Sequence, residues 1–188
     1  MKRLMMTLLL LVMSGCSIPI PNPDVIFGPP ETPQANVPPA CRQHNWSQGS
    51  MRNGSCTHAS LMSLFRWQCQ PNLADWWGKN HGGGEEPESL TAQLDRAGID
   101  YAMTFNKADV GFLEWACRTR RGCAVAIYGR KHMVCLVGLT DEWAILLDNN
   151  SVNEFIWVPR QSFLNEYLWS DSWAITPLYA PCPPRTVR

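Results

Sequence analysis

Three side chains of complementary chemistry fall where local structure begins or ends: Cys56, His132 and Asp148. Cys56 follows Gly54-Ser55 and opens the strongest helical pattern of the chain, residues 56 to 68, with Asn53-Gly54 as a turn signal ahead of it. The helix dipole and unpaired backbone N–H groups stabilise a thiolate at such a position, which is what a sulfur nucleophile requires. His132 opens the apolar run His-Met-Val-Cys-Leu-Val-Gly138 after a turn at Gly129-Arg130-Lys131. There a strand can anchor an imidazole while the ring faces a cleft. Asp148 ends the next apolar run, 143 to 147, and begins Asp148-Asn149-Asn150. A hairpin turning at Thr140-Asp141-Glu142 brings position 148 beside 133 or 134, one register step from His132. The carboxylate is then placed to hold the imidazole in one tautomer. Thiol, base and orienting carboxylate together are the parts of covalent acyl transfer.

The elements that must position them read as follows. Leu61, Leu64, Phe65 and Gln68 recur at helical spacing within 56 to 68, although the apolar face is narrow. Asn72 to Lys79 reads as a second helix after Pro71. Glu86 to Ala97 reads as a third, with Pro87 in its first turn and Gly98 as its stop, and Lys107 to Thr119 as a fourth. Beyond that, 124 to 128, 133 to 139, 143 to 147 and 154 to 158 are apolar runs separated by turn residues and predict an antiparallel sheet. A short helix over 159 to 168 and a last strand over 173 to 176 complete the pattern. Helices first and strands second predict an α+β domain.

Residues 1–15 have the make-up of a targeting segment. Lys2 and Arg3 precede an apolar stretch, Leu4 to Met13, which is too short for a membrane-spanning helix of about 20 residues. Met13-Ser14-Gly15-Cys16 resembles the lipobox of bacterial lipoproteins, in which the Cys is lipidated and becomes the new N-terminus. Cys16 is therefore the expected lipidation site. A diacylglycerol with a further acyl chain suffices for stable anchoring. The expected location is the cell envelope, and the outer membrane if the host is Gram-negative, because Ser17 rather than Asp follows the Cys. Residues 16–40 are a linker: Pro19, Pro21, Pro23, Pro29, Pro30, Pro33, Pro38 and Pro39 favour extended polyproline conformations. Residues 41–188 are the domain.

Of the 188 residues, 16 are basic and 16 acidic, with no long block of either sign, which excludes a nucleic-acid-binding surface. Nine tryptophans are expected mostly in the core. Export implies an oxidising compartment, so the eight cysteines matter. With Cys16 lipidated and Cys56 catalytic, six remain for disulfides, among which Cys41 with Cys182 and Cys117 with Cys123 are two conceivable pairs; the alternative is that several stay buried free thiols. Cys56, His58 and His81 are poorly spaced for zinc, and no metal or other cofactor is expected.

Gly54-Ser55-Cys56 opening a helix, a His opening a strand and an Asp ending the next resembles the papain-like cysteine peptidases, whose order is Cys, His, Asp/Asn. The spacing of 16 from His132 to Asp148 fits. The spacing of 76 from Cys56 to His132 is more similar to compact bacterial members such as the double-glycine leader peptidases. The resemblance covers about residues 45 to 177. It implies a papain-like fold, with a helical half carrying the nucleophile and an antiparallel sheet carrying His132 and Asp148. It further implies hydrolysis of peptide or amide bonds in a peptide or protein substrate. The family's oxyanion-hole Gln usually stands about six residues before the Cys. Here Ser50 occupies that position, and Gln48 or Asn53 is the candidate instead. Thr57 stands where an aromatic residue often follows the nucleophile. Transglutaminase-like and peptidoglycan-amidase folds share a helix-start Cys with His and Asp. The other class of function is a weak or inactive papain-like scaffold that binds or inhibits peptides at the envelope.

Overall fold

The computed structural model describes residues 36–46 and 54–181. Cys16, Gln48 and Asn53 lie outside these residues, as do the targeting segment and most of the proline-rich linker. Among the described residues, five α-helices and six strands make a mixed α+β domain: α1 (Cys56–Trp67), α2 (Pro71–Asn80), α3 (Pro87–Arg96), β1 (Tyr101–Thr104), α4 (Val110–Arg118), β2 (Cys123–Ile127), β3 (His132–Leu139), β4 (Trp143–Leu147), β5 (Ile156–Pro159), α5 (Arg160–Trp169) and β6 (Ala174–Pro177). The strands form one antiparallel sheet in the order β1-β6-β2-β3-β4-β5.

The sheet is apolar on both faces. Alternation along each strand divides the core into two layers. Ala124, Ala126, Met133, Cys135, Val137, Ile145, Leu147, Trp157 and Ile175 face the first core, shared with α1, α2 and α3. Cys123, Val125, Ile127, Val134, Leu136, Ala144, Leu146, Val158 and Ala174 face the second, shared with α4 and α5. That is why the strands read in sequence as unbroken apolar runs rather than as alternating ones. It also alters the expected layout: α4 and α5 cover the far face, and a short strand, β1, precedes α4 and pairs with β6 where no strand was expected.

α1 differs from its sequence reading for a related reason. Its apolar stripe is narrow in sequence, yet every residue except Arg66 is buried, because α1 lies between the sheet and α2. Its polar residues are accommodated rather than solvated: Ser63 Oγ donates to the Ala59 carbonyl at 3.0 Å and Ser60 Oγ to the Met133 carbonyl at 3.2 Å. Burying Leu61, Leu64 and Phe65 here contributes about 1.5–3 kcal/mol each.

α3 stops where the sequence says it must. Gly98 takes φ +64°, the Gly98 N–H reaches the Asp95 carbonyl at 3.1 Å and the Ile99 N–H reaches the Leu94 carbonyl at 3.0 Å, a Schellman closure. At the other end of the domain, Val37 is only 1 % exposed and Pro39–Cys41 forms a 3-10 turn against α1, so the packed core begins upstream of Cys41. Neither conceivable pair forms, and the alternative of buried free thiols holds for Cys117 and Cys123. Cys117 and Cys123 are buried thiols, Cys41 is likewise a thiol, and Cys69 is disulfide-bonded. Cys117 and Cys123 are instead absorbed into the second core as small apolar side chains.

Candidate active site

The β3–β4 hairpin sets the site's geometry. Leu139 pairs with Ala144 and Gly138 with Ile145, but a bulge at Val137 shifts the register, so that Leu136 pairs with Leu146 and Cys135 with Leu147. Gly138 permits this because a Cβ there would fall 2.7 Å from Ile145 Cδ1. Without the extra residue Leu147 would face Leu136; with it, Asp148 is carried one residue closer to the mouth of β3, where His132 stands.

His132 Nε2 lies 2.8 Å from Asp148 Oδ1. The same Oδ1 accepts the Asn150 backbone N–H at 2.9 Å, which fixes the carboxylate in an Asx-type turn. Oδ2 is buried and has no hydrogen-bond partner among the described residues. The Cys56 side chain, by hydrogen bonding and charge, also favours the protonated imidazole. The structure therefore brings together Cys56, His132 and Asp148, which are 5 %, 4 % and 0 % exposed.

Burial by itself would depress the basicity of His132. The hydrogen bonds to Asp148 and Cys56, together with their negative charges, outweigh it and lift the imidazolium to about 9. The remaining buried thiols sit in the opposite environment. Burial pushes Cys135 up to about 12, and Cys117 and Cys123 also well above the ordinary thiol range. Among the described cysteines, Cys56 is the one at a helix start beside an imidazole.

Among the groups around the three, Asn149 and Asn45 were given no role in the sequence. Asn149, in the polar run that ends β4, turns its Nδ2 towards the Cys56 carbonyl (3.1 Å), Ser60 Oγ (3.0 Å) and the Met133 carbonyl (2.7 Å). The incoming segment docks alongside: the Asn45 N–H donates to the Asn149 carbonyl at 2.8 Å, Asn45 Nδ2 to Asn150 Oδ1 at 3.1 Å, and the Ser55 N–H to the Trp46 carbonyl at 2.9 Å. His58, also on α1, accepts from Trp77 Nε1 at 3.0 Å and faces Glu85 at 3.3 Å through Nε2. Burial lowers its pKa, with Glu85 acting against that trend, so its ring is a neutral bridge between α2 and the loop before α3. His58 and His81 thus belong to a packing cluster, with His81 stacked on Trp77 at 3.9 Å. No group of His, Cys, Asp and Glu among the described residues is arranged to hold a metal ion.

A cavity of about 370 Å³ opens beside the segment leading to Cys56, lined by Gln43, Trp46, Met62, Asp75, Gly78 and Lys79. None of the three central residues lines it. Among the described residues no helix is long and apolar enough to cross a membrane. Comparison of the chain with protein-family models, with curated proteins and with solved structures finds no match.

Proposed function

We propose that this chain is a papain-like cysteine hydrolase that cleaves peptide or amide bonds by acyl transfer to Cys56, exported and held at the cell envelope by a lipid on Cys16. One observation carries the reading: a single imidazole, His132, bridges a helix-start thiol and a buried carboxylate. The Cys56 thiolate adds to the substrate carbonyl, forming the C–S bond, while the carbonyl electron pair moves onto oxygen. The Cys56 backbone N–H and an amide from Gln48 or Asn53 receive that oxyanion; such a donor is worth on the order of 10²-fold in rate. As the oxyanion collapses the C–N bond breaks and the imidazolium gives its proton to the departing amine. The neutral imidazole then takes a proton from water, which adds to the thioester and releases acid and thiolate.

Alkylation with iodoacetamide under native conditions, followed by mass mapping, tests the assignment. Cys56 is expected to be modified, and Cys117, Cys123 and Cys135 to be spared until the protein is denatured. A native protein in which Cys56 is no more reactive than those three removes the hydrolase reading. In that case a scaffold that binds or inhibits peptides gains ground. The near-complete burial of Cys56 and His132 is the observation that favours this second reading. The anchor is tested separately: a palmitate analogue fed to expressing cells should label the wild type and not Cys16→Ser. Equal labelling of both would mean that Cys16 is not lipidated.

A further inference from the structure

Asp148 and Asn149 are consecutive, yet they serve opposite sides of the site. The alternation of β4 continues past its end: Ile145 and Leu147 face the core shared with α1, and Asn149 follows them in the same sense. Its side chain is buried at 2 % exposure against the first turn of α1. There Nδ2 meets three oxygens, one from the backbone of the nucleophile, one from Ser60 and one from the backbone of Met133, the residue after the base. Ser60 Oγ donates to the same Met133 carbonyl, and Cys135 Sγ to the Ser60 carbonyl at 3.4 Å, so the amide sits at the centre of a buried polar seam between α1 and β3. One side chain thus hydrogen-bonds both the Cys56 backbone and β3.

We infer that Asn149 is a positioning residue that sets the separation of the Cys56 thiol from the His132 imidazole, a role that rests on the hydrolase reading above. The amide is uncharged and touches neither reacting group, so its influence is geometric. A carboxylate at this position would set a negative charge against two carbonyl oxygens, and Ala would leave both without this donor inside the seam. Thiolate–imidazolium pairing depends steeply on distance, and small misplacements in such arrangements cost up to about 10²-fold.

The test is the pH profile of Cys56 alkylation by iodoacetamide, with each variant normalised to its own rate at about pH 9.5, where an ordinary thiol is ionised. In Asn149→Ala the normalised rate at about pH 6 should fall roughly 10-fold or more, while the rate at high pH stays within about twofold of wild type. In a His132→Ala background the same substitution should add nothing, because no pair remains to be positioned. If Asn149→Ala does not fold, Asn149→Ser, which is too short to span both carbonyls, carries the same expectations. An unchanged profile, slowing by one factor at every pH, or an additive effect in the His132→Ala background each overturns the inference. The hydrolase reading fails differently: wild-type Cys56 then shows no acid-side reactivity and no response to His132→Ala, which removes the positioning role as well.

Discussion

In His132→Ala, alkylation of Cys56 at about pH 6, normalised to its own high-pH rate, should fall by about 100-fold. The size follows from ionisation alone: a thiol with an ordinary pKa of about 8.5 is ionised to well under 1 % at about pH 6, whereas a thiolate held beside an imidazolium is not. Normalising within each variant cancels the lower intrinsic nucleophilicity of a more acidic thiol. At the alkaline end the sign is equally definite. The imidazolium must be protonated to supply the leaving amine, so hydrolysis should decline as pH rises through about 9, where His132 loses its proton. Asp148→Ala removes a hydrogen bond and a negative charge that favour the imidazolium, so that alkaline limb should move to lower pH. Its effect at about pH 6 should be weaker than that of His132→Ala, because the carboxylate orients and stabilises rather than forming the pair. Cys56→Ala should abolish hydrolysis, and Cys135→Ala, the control in the buried seam, should not. A Cys56 whose alkylation profile is the same with and without His132 defeats the assignment.

The second large effect concerns stability. Trp77→Ala should lower the unfolding free energy by about 3–5 kcal/mol in chemical denaturation. Trp77 is fully buried, meets Phe65 edge-on at 5.9 Å and stacks with His81. Its Nε1 supplies the hydrogen bond to His58 Nδ1, so truncation both opens a cavity and leaves a buried ring nitrogen without its donor. Trp77→Phe keeps most of the volume and loses only the donor, so it should cost about 1–3 kcal/mol. Equal losses for the two variants would mean that the indole N–H, and not the packed volume, supplies most of the effect. A loss under about 1 kcal/mol in Trp77→Ala would contradict the packing described here.

Much of the element order is legible locally. Trp143–Leu147 matches its expected strand residue for residue, and the α3 stop at Gly98 follows from the one residue type that adopts φ +64° without strain. Cys56, His132 and Asp148 were visible for a similar reason: each stands where a periodic pattern begins or ends. The spacing of the hairpin even placed position 148 within a residue of its partner. β1 was not legible, because Tyr-Ala-Met-Thr carries no alternation, and its pairing is defined by β6, 70 or more residues later.

What the sequence by itself determined is therefore the set of elements and the chemistry at their ends, since capping, turn formation and apolar periodicity act over a few neighbouring residues. The tertiary structure alone decided the rest. The two-sided burial of the sheet came from α4 and α5 closing on a face that no local pattern assigns to them. The bulge at Val137 arose because Gly138 lets Ile145 approach the strand, and that contact joins residues brought together only by pairing. Asn149 reads in sequence as one more polar residue after a strand. It becomes a bridge only when α1, more than 80 residues earlier in the chain, packs its first turn against the same end of β3, because a hydrogen bond between distant segments depends on where the chain returns and not on what adjoins it.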